Sequence, residues 1–155
     1  MFYSFQGGAD GPDGESPSGG LIFKDGNFYG VTSVGGTGGG GIVFKVDAAT
    51  GAESVLHNFT NIPDGGVPVG GLVYKYGSLF GTTAVGGAME QGTIYSIDLS
   101  TSVETVLYSF IDGATVGRAP NSTLTYKSGA FYGTTHAGGT NCVQHACGTI
   151  FKFVP

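Results

Sequence analysis

The chain has 155 residues, a formal charge of −5, 31 glycines and only 11% charged side chains. Six Lys+Arg cannot supply the basic footprint that nucleic-acid phosphates need, and no long apolar run or basic amphipathic stretch points to a membrane. Aromatic residues at 12% and a mean hydropathy of +0.15 exclude the composition of a disordered chain.

The first element is MFYSF (1–5), a strand-like run without the charged and apolar regions of a signal peptide. The loop QGGADGPDGESPSGG follows, and Asp10, Asp13 and Glu15 in it are oxygen donors for a hard cation such as Ca²⁺. Asp-Gly pairs are also common turn formers and the spacing matches no full loop signature, so a solvated turn is the reading held. GLIFK and FYGVTSVGG (28–36) then flank the tight turn KDGN, and VLHNF (55–59) closes the first unit. His57 in that run aligns with Tyr3 and Tyr108 and reads as a packing position.

The middle unit repeats the pattern as GLVYK (71–75), SLFGTT (78–83), TIYSID (93–98) and ETVLYSF (104–110). Each run is rich in β-branched and aromatic residues and bounded by Gly, Asp, Ser or Pro, which predicts four short strands. The third unit runs from STLTYK through FYGTTHAGG (131–139) to GTIFKFVP, with an insertion around NCVQHAC. His136, Cys142, His145 and Cys147 gather zinc-type ligands in this one hairpin, but neither other unit has counterparts and the spacing is not a standard one. A Cys142–Cys147 disulfide pinning the loop in an oxidising compartment is the preferred reading, with free thiols as the alternative.

The units keep step. Gly30, Gly81 and Gly133 stand at offsets of 51 and 52, and Phe44, Tyr95 and Phe151 at 51 and 56. Two-residue hairpins and no 3.6-residue apolar period predict an all-β fold of four-stranded antiparallel β-propeller blades, three per chain. The chain is expected to be one domain over 1–155, with blades near 17–59, 68–110 and 120–155 and the segment 1–5 as a closing strand. Four aromatic columns are assigned to the core: Phe5/Phe59/Phe110, Phe23/Tyr74/Tyr126, Tyr29/Phe80/Tyr132 and Phe44/Tyr95/Phe151. The central glycines omit a side chain where a ring or backbone must come close.

MFYSF aligns with VLHNF and VLYSF, the fourth strand, whereas GTIFKFVP aligns with the third, so the repeats are cut between strands three and four. Three blades are too few for a ring, since rings run from about four to eight. The expected partner is the chain itself: six blades as a homodimer, or nine as a homotrimer. No cofactor or catalytic group is assigned, because no Ser–His–Asp order or close carboxylate pair recurs.

The phrases PDGGVPVGGLVYKYGSLFGTTAVGG and FYGTTHAGGTNCVQHACGTIFKF resemble the GloVer tandem repeat of bacterial choice-of-anchor surface proteins. The resemblance implies a propeller-like or solenoid β-repeat, often in an extracellular setting, with no established catalytic residues. Function is therefore read as a non-catalytic, self-assembling scaffold or interaction module. The alternatives are a glycan-binding propeller, taking a polysaccharide or protein ligand on its long loops, and a polysaccharide-acting enzyme. The long loops carry no Trp, Tyr or Phe as a sugar platform, and the inner strands offer few titratable groups for an enzyme.

Overall fold

Three sheets follow one another along the chain, and every pairing between their strands is antiparallel. The computed structural model describes residues 1–7, 11–113, 116–140 and 147–155. Among them there are strands and turns but no helix.

The first sheet contains β1 (Glu15–Lys24), β2 (Asn27–Val34), β3 (Ile42–Asp47) and β4 (Glu53–Asn58), paired in chain order. The second repeats it with β5 (Gly66–Pro68), β6 (Val73–Lys75), β7 (Ser78–Val85), β8 (Thr93–Asp98) and β9 (Glu104–Ser109). Here the first strand is split: β5 and β6 both pair with β7, and where they part, β1 only shifts register, between Ser18 and Ile22. The third has β10 (Arg118–Pro120), β11 (Thr125–Lys127), β12 (Ala130–Ala137) and β13 (Thr149–Phe153). Its β13 pairs with β12, and among the described residues it has no fourth strand.

Local chemistry sets these elements. The turns Asp25-Gly26, Tyr76-Gly77 and Ser128-Gly129 have positive φ at both residues, the geometry that joins twisted strands through two-residue loops. Register is reinforced by hydroxyl pairs: Thr83 Oγ1 lies 2.9 Å from Thr93 Oγ1, and Thr135 Oγ1 lies 2.8 Å from Thr149 Oγ1. Ser16, Val67 and Ala119, each directly before a repeated proline, also have positive φ. That conformation lets Val67 N–H reach the Gly40 carbonyl (2.8 Å) and Ala119 N–H the Gln91 carbonyl (2.9 Å), tying each sheet to the one before it.

Gly81 lies opposite Tyr95 in the ladder, and a Cβ there would stand 2.4 Å from the Tyr95 hydroxyl oxygen. At Gly30 and Gly133 the obstacle is the ring of Phe44 and Phe151, at 2.6 and 2.5 Å. The repeated glycine therefore makes room for the aromatic ring of the next strand in its own sheet.

Residues 1–7 form no strand, so the segment 1–5 makes no ladder with β13. The segment instead lies against the first sheet, where Tyr3 and Phe5 pack on Ile42, Phe44 and Val46.

Candidate assembly interface

The two junctions between sheets are apolar and built alike. Between the first and second sheets, Tyr29, Val31, Val43 and Phe59 meet Leu72, Leu79, Tyr95 and Ile97. Between the second and third, Phe80, Ile94 and Phe110 meet Leu124 and Phe131. An aromatic edge contact recurs in each: Phe59 on Tyr95 at 4.9 Å between centroids and Phe110 on Phe151 at 5.3 Å. A cation sits over a ring in each as well, Lys24 Nζ 4.6 Å above Tyr74 and Lys75 Nζ 4.7 Å above Tyr126.

Counterparts of these side chains on the two outer flanks are far more exposed. Leu72 and Leu124 are 4% and 3% exposed, but their counterpart Leu21 is 60% exposed. Val43 and Ile94 are 0% and 1% exposed, but their counterpart Ile150 is 81% exposed.

Two members of the aromatic columns assigned to the core are corrected by the same contrast. Phe23 is 61% exposed: Tyr74 and Tyr126 face a preceding sheet, and among the described residues Phe23 faces none. Tyr132 is only half-buried, whereas Tyr29 and Phe80 in its column are buried. Those two face a following sheet: Tyr29 clusters with Leu79, and Phe80 stacks on Phe131 at 4.5 Å between centroids. Tyr132 belongs to the third sheet, and no other sheet among the described residues covers it. Phe5, Tyr74, Tyr126 and Phe151 are also half-buried, each packed against the edge of a core cluster.

Lys127 and Phe23 likewise lack a cation–ring partner among the described residues. On the leading flank a groove of about 440 Å³ opens between Phe2, Phe5, Leu21, Phe28 and Phe44. On the trailing side one of about 400 Å³ runs along β13, between Ile94, Phe110, Phe151 and Phe153.

The leading flank is half-dressed by the chain's first residues. Phe5 meets Phe44 edge-on at 5.0 Å, the contact that Phe59 makes with Tyr95. Tyr3 donates its hydroxyl to Asp13 Oδ2 at 2.9 Å, and the Gln6 backbone N–H donates to the same oxygen at 2.9 Å. One repeat later His57 Nε2 lies 3.0 Å from Asp64 Oδ2. An aspartate in each of these two lead-in loops thus latches the preceding fourth-strand segment. Burial and the Asp13 hydrogen bond push the Tyr3 phenol up to about 12. Burial alone would raise the Asp13 carboxyl, but its hydrogen bonds from Gln6 and Tyr3 outweigh it and hold the group below the usual range. The 51-residue offset from Asp13 to Asp64 was a signal for this latch; at the corresponding place the third repeat has Val116.

Other polar groups are buried without partners. Tyr95 is fully enclosed, its hydroxyl without a hydrogen-bond partner among the described residues, and burial followed by the Glu104 carboxylate raises its pKa. Oε1 of both Glu53 and Glu104 is buried and unpartnered. Burial, then Asp64, pushes Glu104 up to about 7. Glu53 is raised by burial and then by Asp13.

The sequence-based ligand sets are divided. Asp13 is engaged by Tyr3 and Gln6, Glu15 is exposed at the start of β1, and Asp10 lies outside the described residues. His136 is exposed on β12, and Cys147 is exposed just before β13. Cys142 and His145 lie outside the described residues, and with them both the zinc set and the Cys142–Cys147 disulfide. Among the described residues no three His, Cys, Asp or Glu side chains converge.

A family model described as the Gloeobacter/Verrucomicrobia repeat matches residues 1–151, in agreement with the resemblance drawn from the repeated phrases. No curated protein and no solved structure matches the chain.

Proposed function

The chain belongs to the Gloeobacter/Verrucomicrobia repeat family, and on that premise we propose that it is a non-catalytic, self-assembling β-propeller scaffold. Each chain supplies three four-stranded blades, and two chains make a six-bladed ring. The observation that carries this reading is the contrast at Leu21 and Ile150, exposed on opposite flanks while their repeats are sealed in the internal junctions. Val43 packs with Leu72, and Ile94 with Leu124. Ile150 of one copy packing on Leu21 of another makes the same junction a third time. Burying each of these side chains contributes roughly 1.5–3 kcal/mol. Six blades fall within the range of about four to eight that closed rings adopt, and nine do not.

Charge placed at the centre of that contact tests the proposal. Leu21→Asp and Ile150→Asp each bury an unpaired carboxylate in the ring, weakening assembly by about 3 kcal/mol or more. Both side chains are exposed in the single chain, so circular dichroism is expected to stay unchanged while the sedimenting mass falls to one chain. Two variants that sediment as an unaltered assembly would remove the flanks as the contact.

A further inference from the structure

We infer that the ring closes by strand exchange: residues 1–5 of each chain add to the open edge of β13 in a second copy, as its fourth strand. The inference rests on the self-assembly proposed above and specifies how it is made.

The third strand of the first sheet, β3, is covered by β4, and that of the second, β8, by β9. Among the described residues β13 is covered on one side only, by β12. A fourth-strand sequence exists at the other end of the chain, where MFYSF repeats VLHNF and VLYSF. Its placement is already correct on one side. Phe5 meets Phe44 as Phe59 meets Tyr95, and Tyr3 is latched by Asp13 as His57 is by Asp64. The segment therefore sits on the first sheet as the end of β4 sits on the second, and it lacks only a strand to pair with.

The repeats also fix the register. Ile42 pairs with Asn58 and Thr93 with Ser109, which sets Thr149 opposite Ser4. Val43 with His57 and Ile94 with Tyr108 set Ile150 opposite Tyr3. Phe44 with Val55 and Tyr95 with Val106 set Phe151 opposite Met1, leaving Phe2 at the bulge where Leu56 and Leu107 stand. Phe59 N–H donates to the Gly41 carbonyl and Phe110 N–H to that of Gly92, at 3.0 and 2.9 Å. By the same rule Phe5 N–H donates to the Gly148 carbonyl of the second copy. Met1, fully exposed in the single chain, then enters the groove along β13 beside Phe151.

Ser4→Cys chains mixed with Thr149→Cys chains, both also carrying Cys142→Ser and Cys147→Ser, provide the test, because the register places positions 4 and 149 opposite each other. Mild oxidation is expected to give a covalent dimer from the mixture and none from either variant alone. The pair Ser4→Cys and Ile150→Cys, one residue out of register and on the other face, is expected not to link. Deleting residues 1–5 is expected to loosen the assembly by roughly 30-fold or more. An assembly that persists after the deletion and gives no link from the in-register pair overturns strand exchange and leaves self-assembly standing. A wild-type chain that stays single at every concentration overturns both.

Discussion

Glu104 brings burial and chemistry into conflict within a single side chain. One of its oxygens is enclosed without a hydrogen-bond partner, and burial, with Asp64 nearby, pushes the carboxyl up to about 7 from an ordinary value of 4.5. Below pH 4.5 both native and unfolded chains carry it neutral, and the native state bears no charge penalty. As the pH rises from 4.5 to 7, the unfolded chain ionises first and native stability is lost. Glu53 shifts in the same direction. Thermal melting across this window should therefore fall with rising pH, and Glu104→Gln should flatten the slope. A wild-type profile that rises steadily from pH 4.5 to 7 would contradict this assignment.

At the scale of the element, the pairing of β7 with β8 depends on an absent side chain. Tyr95 is fully buried, and its ring is wedged edge-on against Phe59 at 4.9 Å, so it cannot retreat from a methyl group at position 81. Gly81→Ala should cost about 1–3 kcal/mol, read as a lower urea midpoint with little change in slope. A midpoint equal to that of the wild type would mean that the ring has somewhere else to go.

Much of this level was legible in the sequence. The central glycines, the two-residue turns and the four runs of the middle unit all follow from spacing and strand chemistry. Less legible were the positive φ values at Ser16, Val67 and Ala119, because residues before proline ordinarily avoid that region. At Val67 and Ala119 the cause is a hydrogen bond to the preceding sheet. The Asp13 and Asp64 latches were hidden for another reason. Asp-Gly pairs read as solvated turns, and beyond the 51-residue offset between the two aspartates it is three-dimensional proximity to Tyr3 and His57 that reveals their role. Phe23 and Tyr132 were misplaced because a column shared by repeats says nothing about which repeat stands at an end. Phe23 faces outward from the first sheet and Tyr132 from the last.

At the scale of the whole molecule, the sheets are joined by apolar junctions, and Leu21 and Ile150, which match junction residues, are exposed on the outer flanks. The contacts that repeat are mainly Leu, Val, Ile and aromatic side chains, with one Lys over a ring in each junction. Assembly should accordingly be little affected by salt, since screening acts on exposed charge rather than on buried apolar area. The central claim is that one chain is half of a ring, and the native mass in solution addresses it most directly. Light scattering at micromolar concentration should give about twice the 15.7 kDa of a single chain. A uniform species at 15.7 kDa would contradict the account.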